Sequence, residues 1–157
     1  MLYFYFSYTL NMATAVKFFE NKSGKVSYDW NDDKRSYLLI KLVREGITYS
    51  DFNKVTNLAP FSTQEWAGYL NISVRTLERN REENKVFRQE QSERILSIYQ
   101  LLNYGKSVFG HDENFYEWLG SESIALGGIK PKELLDTSIG IHMVKDELGR
   151  LEHGVLA

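Results

Sequence analysis

An apolar stripe with helical spacing runs through the last twenty residues of the chain. Its members are Ile141, Val144, Leu148, Leu151 and Val155, which recur at intervals of three or four residues. This spacing places them on one face of a single helix. The free end of a chain usually frays, but here the stripe continues almost to the final residue. The pattern therefore predicts that this end docks on something, either the protein's own core or a partner.

Helical patterns also cover most of the remaining sequence, and no stretch sustains the two-residue alternation of a strand. Ser36 and Ser50 are expected to cap the first two helices, and Pro131 to start a helix that buries Leu134 and Leu135. The sequence therefore predicts an all-α fold. The other helices are predicted over residues 36–44, 50–59, 62–70, 74–84, 90–109 and 112–119, with stops at Gly46 and Gly110.

Composition excludes several classes of protein. The 157 residues, 43% of them hydrophobic, suffice for one domain or two very small ones. There is no cysteine, which rules out disulfides and thiolate chemistry and fits a cytoplasmic protein. No apolar run reaches the roughly 18 residues that a membrane-spanning helix needs. His111, His142 and His153 lack the spacing of a metal site. No constellation of acids and bases indicates an enzyme, and no cofactor is expected.

The first 35 residues are interpreted as an N-terminal extension that is partly disordered. Its opening segment, Met1–Leu10, is rich in aromatic residues and lacks the basic residues that begin a secretory signal peptide. Met12 is therefore favoured as the working start. Residues 13–35 are polar and only weakly periodic.

A helix-turn-helix pattern lies at residues 62–85. Ser62 and Glu65 have the spacing of a capping box at the start of the first helix. Asn71 tolerates the left-handed conformation of a tight turn, and Ser73 can cap the second helix. Two short helices joined by such a turn match the geometry of proteins that read DNA.

The second helix of this pattern carries the candidate DNA contacts. Four of its residues are expected to face outward: Arg75, Thr76, Arg79 and Asn80. A helical hairpin with charged outer residues can equally be a solvated surface. Basic residues exceed acidic ones only slightly here, because Glu78, Glu82 and Glu83 dilute the positive charge. From spacing alone, both readings stay open.

Several segments, taken together, resemble the Xre/MbcA/ParS-type antitoxins of bacterial toxin–antitoxin operons. The resemblance covers roughly residues 40–157 and is strongest after residue 107. The segments that carry it are ISVRTLERN (72–80), QSERILSI (91–98), SVFG (107–110), WLGSESIALGGIKPKELLDT (118–137) and DELGRLEHGVLA (146–157).

The resemblance implies an organisation and a set of partners. A helix-turn-helix DNA-binding region would occupy residues 36–106, and a small helical toxin-binding domain would occupy residues 107–157. The implied partner is a RES-domain toxin, which depletes cellular NAD⁺ and whose active-site entrance the C-terminal segment blocks. Such proteins also form homodimers and repress their own operon by binding operator DNA. At Lys130 the family often has a capping Ser or Thr, so the helix start at Pro131 is expected to be weakened.

The toxin contacts are therefore expected at the end of the chain. Glu152 and the terminal carboxylate would meet the cationic groups of a cleft shaped for an anionic dinucleotide. Gly149 costs about 1 kcal/mol in a helix interior, which is explained equally well by a close approach of another backbone or by an ordinary tight helix crossing. Gly154 would end the helix and let the last residues extend. The full expected set is Leu148, Arg150, Leu151, Glu152, His153, Gly154, Val155, Leu156 and Ala157.

Two other functions remain in view. One is a stand-alone helix-turn-helix transcriptional regulator whose C-terminal domain serves only for dimerisation. The other is an all-helical enzyme, which the lack of convergent acids, bases or metal ligands disfavours. An end of the chain that becomes protected by a toxin would separate the antitoxin from the regulator.

Overall fold

The computed structural model describes residues 33–154. The extension predicted over residues 1–35, apart from its last three residues, lies outside this range, as do Met12 and Val155–Ala157. Within the described range the fold is all-α, as predicted, and no strand forms. The α-helices are α1 (Asp33–Glu45), α2 (Tyr49–Thr56), α3 (Thr63–Tyr69), α4 (Val74–Glu82), α5 (Gln89–Phe109), α6 (Asp112–Gly120) and α7 (Ser138–Glu152), with short 3₁₀ helices at Ile124–Leu126 and Pro131–Leu134.

The first two helices begin at other residues than those predicted. Helix α1 starts at Asp33, before Ser36, and ends as predicted at Gly46, whose φ of +87° is left-handed. Helix α2 is capped by Thr48 and not by Ser50. The Thr48 hydroxyl accepts the Asp51 N–H at 3.1 Å, which satisfies one of the free donors at the helix start.

The helix-turn-helix forms by the predicted local chemistry. The Ser62 hydroxyl accepts the Glu65 N–H (3.1 Å), and the Glu65 carboxylate accepts the Ser62 N–H (2.7 Å), which completes the capping box. Asn71 is left-handed, with φ +52°. The Ser73 hydroxyl accepts the Thr76 N–H at 3.1 Å and caps α4. These three predictions are confirmed, although α4 ends at Glu82, two residues earlier than predicted.

A second set of contacts joins the segments that surround this hairpin. The Ile47 N–H donates to the hydroxyl of Ser92 (2.9 Å), and that hydroxyl donates to the Phe87 carbonyl (3.2 Å). Phe52 meets Trp66 and Phe87 edge to face, with centroids 5.1 Å apart in both pairs. Phe52, Trp66 and Phe87 are therefore part of the core, and each contributes about 1.5–3 kcal/mol through burial.

The long helix α5 is the centre of the molecule, because α1, α6 and α7 all pack against it. Its inner residues Ile95, Ile98, Leu101 and Leu102 are fully buried, and Gly110 ends it in a left-handed conformation, as predicted. No helix in the described part of the chain is long and apolar enough to cross a membrane.

The last helix docks on the protein's own core. Ile141, Val144 and Leu148 of the predicted stripe are buried, and Leu151 is half-buried. Of the two docking targets that the sequence left open, the structure therefore assigns the stripe as far as Leu148 to the core. The 3₁₀ helix before α7 begins at Pro131 as predicted, with Leu135 buried and Leu134 only half-buried.

Candidate functional site

Two arginines of α4 form the exposed face of the helix-turn-helix. Arg75 and Arg79 lie one helical turn apart, and both side chains are exposed. Neither forms an ion pair with any residue that the structure describes. Two unpaired guanidinium groups at this spacing can contact phosphates or base edges.

The other two predicted DNA contacts lie elsewhere on α4. Asn80 was expected to face outward but is only 8% exposed, because the chain turns back after Asn84 and the Lys85 N–H donates to the Asn80 carbonyl at 2.9 Å. Thr76 is half-buried, and its hydroxyl is hydrogen-bonded to the Ser73 hydroxyl at 2.9 Å. The four residues therefore do not form one exposed surface.

Acidic residues accompany the arginines, as the sequence indicated. Glu78 and Glu82 are exposed on α4. Glu83 pairs with Lys85 at 2.8 Å, and this hydrogen bond, with the help of the charges on Lys85 and Arg79, holds the pKa of Glu83 below its ordinary value. The positive charge of the hairpin is therefore partly neutralised within the protein.

The C-terminal half exposes apolar side chains that sequence reasoning missed. Ile139 and Met143, one turn apart on α7, are 77% and 42% exposed. Ile124 is 96% exposed in the 3₁₀ helix that packs on α7, and Ile129 follows it in the same turn. The spacing of Ile139 and Met143 is visible in the sequence, but the sequence interpretation depended on the longer apolar stripe of the same helix. Large exposed apolar side chains that neighbour one another are typical of contact surfaces.

The end of α7 is held by polar contacts. The Tyr104 hydroxyl donates to Glu152 Oε2 at 2.6 Å, and burial together with this carboxylate raises the pKa of Tyr104 to about 12. Arg150 Nε donates to Glu147 Oε2 at 2.7 Å. His153 and Gly154 are exposed, and Gly154 has the left-handed φ of +67° expected where a helix is released.

Leu148, one of the predicted toxin contacts, is 0% exposed. Its side chain belongs to the core because it continues the stripe of Ile141 and Val144, so it supports α7 from within. Val155, Leu156 and Ala157 lie outside the described residues.

Among the described residues no other backbone comes close to Gly149, whereas one does so at a different glycine of the same helix. A Cβ at Gly149 would lie 3.5 Å from the Tyr104 hydroxyl, which is an ordinary contact with a side chain. A Cβ at Gly140 would lie 2.0 Å from the backbone oxygen of Leu134. The close backbone approach is therefore at the start of α7, where the helix crosses the preceding turn.

One ion pair links the two halves of the chain. Lys132 Nζ donates to Glu65 Oε1 at 2.8 Å, so the carboxylate that completes the capping box also holds the turn before α7. Partial burial raises the pKa of Glu65, but the hydrogen bonds from Lys132 and Ser62 outweigh it and leave the pKa below its ordinary value.

The histidines do not form a metal site. Among residues 33–154 no group of three or more His, Asp or Glu side chains could hold a metal ion. His142 lies 3.5 Å from Asp146 on the exposed side of α7.

Comparisons with known proteins match both halves. A family model described as the antitoxin Xre/MbcA/ParS C-terminal toxin-binding domain matches residues 105–154, and one described as the antitoxin Xre-like helix-turn-helix domain matches residues 38–98. A protein named Antitoxin Xre from Yersinia enterocolitica is 29% identical over 124 residues, which are 78% of this chain and 84% of the relative. Another Antitoxin Xre, from Photorhabdus laumondii, is 24% identical over 74% of this chain and 79% of the relative. A Prs ADP-ribosylating antitoxin from Sphingobium is 25% identical over 75% of this chain and 80% of the relative.

Proposed function

Since this chain belongs to the Xre/MbcA/ParS-type antitoxins of toxin–antitoxin systems, we propose that it neutralises a cognate RES-domain toxin in the cytoplasm. The toxin degrades NAD⁺, and the end of the chain occludes its active site. In this proposal residues 107–157 bind the toxin and residues 36–106 bind DNA.

The exposed apolar residues of the C-terminal half carry the proposal. Ile124, Ile139 and Met143 lie inside the segment that matches the toxin-binding domain. Ile139 and Met143 are on α7, whose opposite face is already buried. A face of α7 that remains apolar after folding can supply the buried centre of an interface. Leu148 then acts indirectly, by keeping α7 in place.

The end of α7 supplies the polar part of the proposed contact. Glu152 uses one carboxylate oxygen to accept the Tyr104 hydroxyl, so its other oxygen remains available to a cationic group of the toxin. With the terminal carboxylate, it would take the place of the phosphates of a bound dinucleotide. Leu151, Val155 and Leu156 would be the apolar anchors, Arg150 and His153 the rim, and Gly154 and Ala157 would let the backbone enter the cleft.

Truncation tests the occlusion. A chain ending at His153 should still bind the toxin through the exposed apolar residues but should no longer protect NAD⁺ from hydrolysis by the purified toxin. Protection that remains at saturating truncated antitoxin would contradict occlusion by the tail.

Substitution on the apolar face tests the binding surface. Ile139→Asp with Met143→Asp should weaken toxin binding at least about tenfold, because apolar anchors near an interface centre each contribute more than 1 kcal/mol. Ile40→Asp is a matched control, since Ile40 is also exposed but lies on α1. Equal affinity of the double variant and the control would remove this face from the interface.

The relative named for Prs ADP-ribosylation supports a second toxin chemistry. Both NAD⁺ hydrolysis and ADP-ribosyl transfer consume NAD⁺, so an occluding tail suits either reaction. Incubating the toxin with NAD⁺ labelled in its ADP-ribose part separates the two reactions. Hydrolysis leaves the label in free ADP-ribose, whereas transfer leaves it on a macromolecule.

We also propose that the chain represses its own operon as a DNA-bound homodimer. Arg75 and Arg79 would contact the operator directly. Thr76 and Asn80 would contribute from the inner edge of α4, where their side chains are less exposed. Arg75→Ala with Arg79→Ala should abolish operator binding in a gel-shift assay, while Arg81→Ala, which removes an exposed cation from the same helix, should leave most of it. Unchanged binding by the double variant would exclude this helix face.

A further inference from the structure

A cleft of about 820 Å³ lies where the helix-turn-helix meets the start of α5 and the residues that precede α7. Its charged lining comprises Arg79, Lys85, Arg88, Arg94, Glu90 and Asp136. Four cations thus face two carboxylates in one concave site. Of the two arginines proposed to contact the operator, Arg79 lines this cleft and Arg75 does not.

Arg94 is the least satisfied group in this cleft. Its Nη1 atom is buried and has no hydrogen-bond partner among the described residues. A buried donor on a charged group is costly when it lacks an acceptor. Lys85 is held by Glu83, but Arg79, Arg88 and Arg94 form no ion pair within the part of the chain that the structure describes.

These observations define the ligand by its chemistry. Guanidinium groups present several N–H donors in a planar fork that matches the oxygens of a phosphate. A phosphate would accept hydrogen bonds from the guanidinium groups that line the cleft and would balance the charge of Arg79, Arg88 and Arg94. Glu90 and Asp136 would repel a second anionic group.

We propose that this cleft is a phosphate-binding site in which Arg79, Arg88 and Arg94 hold the phosphate. Two sources share this chemistry: a phosphate of the operator backbone and a free phosphorylated small molecule. The first source rests on the proposed operator binding, and the second does not. Asp136 and Thr137 also line the cleft and lead into α7, so the cleft lies between the DNA-binding and the toxin-binding halves.

The test compares the full-length chain with Arg94→Gln, which keeps a hydrogen-bonding side chain and removes the charge. Arg88→Gln is a second variant at an exposed position, where folding is not at risk, and Arg81→Gln is the control outside the cleft. The probes are inorganic phosphate and ADP, titrated against thermal unfolding at constant ionic strength, and a duplex from the upstream region of the operon.

Two results would support the site and identify the source. If phosphate or ADP stabilises the parent chain and the Arg81 variant, and both cleft variants bind it at least tenfold more weakly, the ligand is a free phosphate. If neither probe binds but both cleft variants lose at least tenfold in duplex affinity, with a shallower salt dependence, the ligand is a DNA phosphate. If the cleft variants match the Arg81 control with every probe, the proposal is wrong. An unchanged duplex affinity for Arg75→Ala, a residue outside the cleft, would refute the operator contact of Arg75 alone and leave the free-phosphate result standing.

Discussion

Replacing Gly140 with Ala measures how closely α7 must approach the turn that precedes it. The new Cβ would lie 2.0 Å from the carbonyl oxygen of Leu134 and 2.9 Å from the Thr137 hydroxyl. The carbonyl belongs to the backbone next to the fully buried Leu135, so it cannot rotate away. Helix α7 or the turn must therefore shift.

The magnitude follows from two opposing contributions. Forcing a backbone shift in a packed region costs about 1–3 kcal/mol, and an overlap of this depth belongs at the upper end. Replacing Gly by Ala in a helix returns at most about 1 kcal/mol. We therefore expect Gly140→Ala to lower the free energy of unfolding by about 2 kcal/mol, which corresponds to a Tm about 4–8 °C lower for a protein of this size.

The same substitution at Gly149 is the matched control within the same helix. There the added Cβ makes only an ordinary 3.5 Å contact with the Tyr104 hydroxyl, so the helix-propensity gain should remain. Gly149→Ala should raise the Tm by about 2–4 °C. Thermal unfolding followed by far-UV circular dichroism, with urea unfolding as a check, measures both. A Gly140→Ala protein as stable as the parent would refute the reasoning, as would destabilisation of equal size at both positions.

Three further perturbations test single contacts inside the fold. Lys132→Met should cost about 1 kcal/mol or less near neutral pH. It should also flatten the pH dependence in urea unfolding, because the pKa of Glu65 is lowered on folding and the stability from its pair is lost as the pH falls below the ordinary value of 4.5. Ser92→Ala should lower urea-measured stability by about 1–3 kcal/mol, since two buried backbone groups lose the hydroxyl that bridges them. Gly105→Ala should cost about 1–3 kcal/mol because its Cβ would lie 2.1 Å from the ring of Phe115, and adding Phe115→Leu should restore part of this loss in a double-mutant cycle.

Local chemistry explains which parts of the fold were predictable. The capping box at Ser62, the turn at Asn71 and the stop at Gly110 each depend on a few consecutive residues, and all three formed as predicted. The cap of α2 was not predictable in this way, since Thr48 and Ser50 are both suitable. Thr48 is used because distant contacts fix the backbone on both sides of it. The Ile47 N–H donates to the Ser92 hydroxyl, and the Tyr49 N–H donates to the Lys85 carbonyl.

The candidate sites were less predictable because a helical pattern does not say what covers each face. Asn80 has an outward position on a helical wheel, but the chain after Asn84 folds back over it. Leu148 continues a stripe that could equally have met a partner, and the structure buries it against α5. The exposed pair of Ile139 and Met143 could have been found by identifying the apolar residues of α7 that do not belong to the main stripe.

Because α7 belongs to both the core and the exposed surface, its two roles must be separated in any experiment on neutralisation. Burial of Ile141, Val144 and Leu148 contributes on the order of 5–9 kcal/mol in total. That is comparable with the whole free energy of unfolding of an ordinary domain, about 5–15 kcal/mol. A chain that ends before Ser138 would therefore lose toxin binding by unfolding, whatever its contacts with the toxin are. Changes beyond Glu152, or at the exposed Ile124, Ile139 and Met143, alter the proposed contacts while the core stays intact.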